Sequence, residues 1–224
     1  MRRFLRRRRE IAMSARVEPK TAASFIPERR SLTALRRAAE GCTACPLYRN
    51  ATQTVFGSGA AKARLLLVGE TPGDREDLEG KPFVGPAGKL LDEALAAAGI
   101  GRREVYLTNA VKHFKWEPQG KRRLHKKPNA GEQHACRPWL DAEIAAVRPT
   151  VILCLGATAA QALLGKKFRI STSRGEVLSS PQCEQTIATY HPSAVLRAPD
   201  HEARERMRAE LFADVRRAAE LCGG

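Results

Sequence analysis

Four short apolar runs constrain this chain more than any other feature. Arg64–Val68 (RLLLV), Glu104–Thr108 (EVYLT), Thr150–Leu155 (TVILCL) and Thr186–Tyr190 (TIATY) show no alternation of polar and apolar residues. A strand without a polar face must be covered on both sides, and parallel strands flanked by helices meet that demand. Between the runs lie the helices. Pro86 stands where a first helical turn tolerates proline and Gly99 where a helix stops, which predicts a helix between them. Gly131–Val147 sets Trp139, Leu140, Ile144 and Val147 at helical spacing. Ala157–Leu164 and His201–Leu221 read as further helices, and Ser31 as the N-cap of a short one running toward Gly41. This alternation predicts an α/β fold: three α/β/α layers around a mostly parallel, four-stranded central sheet.

With 224 residues, 43% of them apolar, a single domain over residues 31–224 is expected. Residues 1–30 hold ten Lys/Arg against three Glu and read as a disordered basic arm. The whole chain carries +15, and Lys112–Lys127 alone holds seven Lys/Arg against one Glu. So concentrated a patch points to a polyanion, with nucleic acid foremost. No apolar run is long enough to span a membrane and no secretory signal precedes the first strand, so a cytoplasmic protein working at the nucleoid is expected. Nothing suggests an obligate dimer, and a monomer is the expectation. Six cysteines include a tight Cys42-x-x-Cys45 pair, which favours metal or cluster ligation in a reducing compartment over a disulfide framework. Spacing alone leaves zinc and iron–sulfur both open.

Ligands of such folds sit beyond the carboxyl ends of the strands. Gly69–Gly73, Asn109, Gly156 and His191 all fall there. The loop Gly69-Glu70-Thr71-Pro72-Gly73-Asp74 combines glycines, which admit close backbone approach, with two carboxylates. Taken alone, such a loop is more often an ordinary turn.

Extended to Lys89, however, it reads GETPGDREDLEGKPFVGPAGK, which resembles the first active-site motif of the uracil-DNA glycosylase superfamily, particularly its iron–sulfur families. Asn109 after the second strand and His191-Pro192-Ser193 after the fourth resemble the family's other stations, in the expected order across roughly residues 40–220. The resemblance implies that the chain flips uracil out of DNA and cleaves its glycosidic bond. It assigns uracil-edge recognition to Asn109, stacking to Phe83, and stabilisation of the departing uracil to His191. Glu70 would orient the nucleophile and face the sugar cation. Gly69, Thr71, Pro72, Gly73, Asp74 and Ser193 would complete the substrate site. Thr71 stands where the UdgX branch commonly has Gln.

Gly120–Pro128 (GKRRLHKKP) resembles the basic loop that defines UdgX, written KRRIH in that group. In UdgX the loop histidine becomes bonded to the deoxyribose, which assigns His125 as a trapping nucleophile. Lys121, Arg122, Arg123, Lys126 and Arg197 would hold phosphates. The alternatives are a conventional multiple-turnover family 4 enzyme, or an iron–sulfur DNA-binding protein without catalysis. By the same resemblance Cys42, Cys45, His113 and Cys136 would hold a [4Fe–4S] cluster, His113 standing in for a cysteine. The implied partner is uracil-containing DNA, with single strands preferred.

Overall fold

The computed structural model describes residues 21–223. A 3-10 turn (Ala22–Phe25) precedes helix α1 (Leu32–Ala39), whose N-cap Ser31 accepts the Ala34 amide. A second 3-10 turn (Pro46–Arg49) leads to β1 (Ser58–Gly59), β2 (Leu65–Gly69), α2 (Asp74–Glu79), α3 (Pro86–Ala97) and β3 (Tyr106–Asn109). A hairpin of β4 (Trp116–Gln119) and β5 (Arg122–His125) comes before α4 (Ala130–Val147), β6 (Val151–Leu155), α5 (Ala157–Leu164) and α6 (Ile170–Ser173). The chain then runs through β7 (Leu178–Ser180), β8 (Cys183–Thr189), α7 (Pro192–Leu196) and α8 (His201–Gly223). No described helix is long and apolar enough to cross a membrane.

The central sheet has the order β1-β3-β2-β6-β8-β7, and its middle four strands are parallel. Those four are the apolar runs. Successive residues of each strand enter opposite cores, as the period of two requires. Leu65, Leu67, Leu153 and Ile187 pack with α3 and α8 on one face. Leu66, Val68, Ile152 and Ala188 pack with α4 and α5 on the other. The three layers follow directly from this double burial.

The short helices α2, α6 and α7 are absent from the sequence reading, and three further features differ from it. The four-stranded sheet gains antiparallel edge strands β1 and β7, of two and three residues, too short to leave a periodic signal. The basic stretch read as a loop contains β5 of a hairpin, with Trp116 opposite His125 and a turn at Gly120, where φ is 59°. Its charged side chains mask the strand alternation. The expected arm boundary at residue 30 also moves: Ala22 is buried, and Phe25 and Ile26 pack on the cluster formed by α1 and α4, because three apolar side chains there find a core. Residues 1–20 of that arm lie outside the described residues.

Among the described residues, one ion pair lies wholly inside. Lys112 Nζ meets the Glu143 carboxylate with neither side chain appreciably exposed, and also donates to Thr108 Oγ1 and the Asn109 carbonyl, both at 2.7 Å. Glu143 accepts in addition from the Gly57 amide at 2.9 Å, the Tyr106 hydroxyl at 3.0 Å and the Thr108 hydroxyl at 2.9 Å. Burial and the Glu143 charge hold the Tyr106 phenol protonated far above its ordinary range. Replacing Glu143 by Ala leaves the Lys112 ammonium buried without its counter-charge, and should lower the unfolding free energy by about 3–5 kcal/mol. Urea denaturation checks this; a loss under about 1 kcal/mol, typical of an exposed pair, would show that the network carries no such strain.

Candidate active site

Beyond the carboxyl ends of the parallel strands lies a cleft of about 470 Å³, within the range of small-molecule sites. Glu70, Phe83, Asn109, His125, His191 and Arg197 line it together, although they come from five separate segments. Thr71, Pro72, Gly73, Asp74 and Ser193 contribute to its wall.

The strand ends bring these groups close. Asn109 is the last residue of β3 and pairs in register with Gly69 of β2. A Cβ at position 69 would collide with Asn109 Oδ1 and lie 2.7 Å from Phe83 Cζ, so only glycine lets the amide and the ring approach this strand end. The Phe83 ring stacks on the His191 ring, with centroids 6.0 Å apart and planes 27° from parallel. Its backbone takes φ 56°, a left-handed conformation that costs a bulky residue about 1–2 kcal/mol.

His191 caps α7. The Ser193 amide donates to its Nδ1 at 3.1 Å, and Ser193 Oγ lies 2.7 Å from the same nitrogen. A backbone N–H can only donate, so Nδ1 is an acceptor and the ring proton of the neutral imidazole sits on Nε2. Burial, aided by Arg197 and then His125, pushes the His191 pKa down to about 4. The ring is therefore a neutral N–H donor at physiological pH. His125, at the end of β5, is likewise lowered, first by desolvation; Glu70 and Glu76 oppose the shift and Arg197 adds to it. The Glu70 carboxylate accepts a hydrogen bond from Thr158 Oγ1, in the first turn of α5.

Several residues expected to touch substrate or DNA are engaged elsewhere. Arg123 donates to Asp74 Oδ1 and Asp77 Oδ2, both at 2.6 Å, and its guanidinium lies over Phe114 at 5.3 Å and Trp116 at 5.6 Å. It anchors the hairpin to α2 instead of standing free for phosphate, and the same bond engages Asp74 Oδ1 at the cleft wall. The Thr71 hydroxyl turns back to the His113 carbonyl at 2.9 Å, so the side chain braces the loop. Lys126 pairs across the hairpin with Glu117 at 2.8 Å. Lys121 and Arg122 are exposed at the hairpin tip.

The three expected cysteine ligands form no disulfide and are buried in one core cluster. Trp139 Nε1 donates to Cys42 Sγ at 3.2 Å and the Lys112 amide to Cys136 Sγ at 3.3 Å. His113 is buried beside the same region, with Nε2 2.9 Å from Thr54 Oγ1. That hydroxyl gives its proton to the Ala39 carbonyl, so the imidazole donates through Nε2 and keeps its lone pair on Nδ1. Burial lowers the His113 pKa to about 4, against the pull of Asp77, which keeps that lone pair unprotonated. Among the described residues, no three His, Cys, Asp or Glu side chains converge as the ligand set of a metal ion. A single tetrahedral ion requires such convergence. A cubane takes one ligand per iron and needs donors arranged around a cage. Thiols and a neutral imidazole are donor types that such a cluster accepts.

Residues that the sequence did not single out hold this arrangement in place. Besides Thr158, Glu76 is a buried carboxylate that accepts from the amides of Gly73 at 3.1 Å, Val84 at 2.9 Å and Gly85 at 2.8 Å. Arg102 reaches the carbonyls of Pro82 and Phe83. The only sequence signal for Glu76 was its place inside the run that resembles the family's first motif, and none marked Thr158 or Arg102.

The chain is similar to proteins of one superfamily. Residues 56–216 match the family described as the uracil DNA glycosylase superfamily. A Thermotoga maritima protein named type-4 uracil-DNA glycosylase is 43% identical over 164 residues, spanning 73% of this chain and 82% of that protein. One of the same name from Archaeoglobus fulgidus is 38% identical over 200 residues, spanning 86% and 94%. A type-5 uracil-DNA glycosylase of Pyrobaculum aerophilum is 30% identical over 208 residues, spanning 81% and 84%.

The low pKa of His191 has a consequence for stability. Between about pH 6.5, its ordinary value, and about pH 4, the unfolded chain binds a proton that the folded one refuses. Stability therefore falls as pH drops through that window. His191→Asn should flatten the dependence of Tm on pH between 7 and 4.5; an unaltered slope in thermal melts would contradict the neutral, half-buried imidazole.

Proposed function

The chain belongs to the uracil-DNA glycosylase superfamily and to its type-4 family, and from that premise we propose that the cleft excises uracil from DNA, single strands being preferred. The observation that carries this reading is the convergence of Glu70, Phe83, Asn109 and a neutral, Nε2-protonated His191 on one cavity. A flipped uracil stacks on Phe83 and offers its edge to the Asn109 amide. As the C1′–N1 bond breaks, its electron pair leaves with the base. His191 Nε2–H meets the negative charge on the uracil oxygen, and an uncharged donor does so without first losing a proton. Glu70, held by Thr158, faces the cationic sugar and directs the nucleophile. For turnover that nucleophile is water, with its proton passing to Glu70.

A second reading is favoured by one observation: His125 lines the same cleft and is biased toward its neutral form. A neutral imidazole nitrogen can add to C1′ of the sugar cation in place of water, and the product sheds one proton to become a stable N-linked adduct. We propose this trapping, as in UdgX, as the finer description of the site. We also propose that Cys42, Cys45, His113 and Cys136 hold a [4Fe–4S] cluster, which when bound would link the CxxC segment, the residues after β3 and α4 without entering the chemistry.

One incubation separates these readings. Purified protein is mixed with uracil-containing single-stranded or double-stranded oligonucleotides and resolved on a denaturing gel, with alkali treatment to reveal abasic sites. Excision should be faster on the single strand, and His191→Ala should slow it by about 100-fold or more. Trapping predicts an SDS-resistant species that His125→Ser abolishes while restoring abasic product. Repeated turnover with no such species would leave the conventional enzyme, and intact uracil throughout would refute the activity. For the cluster, about four irons and four acid-labile sulfides per chain are expected; His113→Ala should lower that content, and stoichiometric zinc would refute it.

A further inference from the structure

Phe83 is the least relaxed element of the cleft. It is a bulky, buried side chain on a left-handed backbone, and its ring orientation is set by the peptide groups on either side. Those groups are gripped from two directions. On the inner side, Glu76 collects the Val84 and Gly85 amides. On the outer side, Arg102 Nη2 collects the carbonyls of Pro82 at 2.8 Å and Phe83 at 2.9 Å, while its Nη1 rests on Asp92 Oδ1 at 2.7 Å. The Phe83 carbonyl also lies so close to α3 that a Cβ at Gly88 would overlap it.

We propose that Arg102, which does not line the cleft, is a positioning residue for base recognition. Its guanidinium fork locks the Pro82–Phe83 peptides and so sets the tilt of the Phe83 ring against His191 and Asn109. This rests on the reading of Phe83 as the face on which the flipped uracil lies. The alternative role for Arg102 is a surface staple, through Asp92, between α3 and the turn before β3. Chemistry separates the two. A staple needs only a cation near Asp92, whereas the lock needs the planar fork, which reaches the two carbonyls and Asp92 at once and which a lysine cannot reproduce.

The test uses the full chain, uracil-containing single-stranded oligonucleotide as substrate and free uracil as competitive inhibitor. Excision is followed in single-turnover experiments, with saturation giving the half-saturating protein concentration. Phe83→Ala should weaken uracil inhibition and substrate saturation together, which checks the stacking reading. Arg102→Ala should raise the inhibition constant for uracil and the half-saturation point about tenfold, the order expected for losing charge-assisted hydrogen bonds. The maximal rate and Tm should change little. Arg102→Lys, which keeps the charge beside Asp92, should retain most of that defect. Asp92→Ala, which keeps the fork, should behave nearly as the parent. Adding Arg102→Ala to Phe83→Ala should make uracil binding no worse.

An Arg102→Lys protein that binds uracil normally, or an Asp92→Ala protein as impaired as Arg102→Ala, would overturn the lock in favour of the staple. Should Arg102→Ala fail to fold, the Lys and Asp92 variants still decide. If Phe83→Ala leaves uracil inhibition unchanged, the stacking reading falls and the lock loses its purpose. If Phe83→Ala impairs inhibition and Arg102→Ala does not, the lock alone falls.

Discussion

Lys112 and Glu143 meet where no water reaches, and α4 is joined through them to the segment that follows β3. Glu143 belongs to α4, which covers one face of the sheet, and Lys112 follows β3, whose last residue enters the cleft. A buried ion pair is a weak source of net stability, because both ions give up their hydration. It does impose a strict geometric demand, since every remaining donor and acceptor must be met. The Tyr106 and Thr108 hydroxyls, the Gly57 amide and the Asn109 carbonyl satisfy it. The outcome is that the backbone at Asn109 is fixed by groups behind the sheet, and the side chain that meets the base edge in the proposed reaction is left free of structural duty.

The same division recurs at the mouth of the cleft, with acidic residues of α2 in the anchoring role. Asp77 is fully buried and accepts from the Thr52 amide and hydroxyl as well as from Arg123. Glu76 spans two turns of backbone, and Asp74 holds the other edge of the Arg123 guanidinium. The hairpin is consequently tied down by its central arginine, while Lys121 and Arg122 at its tip face solvent. A stretch whose sequence shows a uniform excess of positive charge is thus split by the fold. One guanidinium is neutralised to hold position, and the outermost cations remain exposed to solvent.

How much of this was legible in the sequence depended on the range of the interactions responsible. The four parallel strands were visible because double burial removes polar residues from consecutive positions, a local consequence of the final packing. Pro86 and Ser31 marked helix starts because capping is local too. The candidate site was legible where residues sit at strand ends, as Glu70, Asn109 and His191 do, since sheet topology alone brings those ends together. Arg123, Asp74 and Thr71 were assigned outward-facing roles because nothing near them in the chain reveals their partners. Asp74 lies 49 residues from Arg123, and Thr71 lies 42 from the carbonyl it bonds. Thr158 and Arg102 escaped notice for the same reason: a hydroxyl or guanidinium acquires its role only from what the fold sets beside it. The edge strands were missed through brevity.

The two histidines of the cleft show how the fold separates chemistries that the sequence alone assigns by resemblance. Both are held below the ordinary histidine range, and both feel Arg197. A neutral imidazole has one N–H and one lone pair, so its reactivity depends on which of the two faces the reactant. In His191 the Ser193 amide occupies the lone pair on Nδ1, leaving the ring able to donate from Nε2 and unable to attack. No hydrogen bond to the His125 ring is present among the described residues; its neighbour is the Phe114 ring, 6.0 Å away. Its lone pair is therefore not committed. On the proposed roles, the donor His191 and the nucleophile His125 are the same residue type in one cavity, and a single backbone amide decides which of the two roles His191 can take.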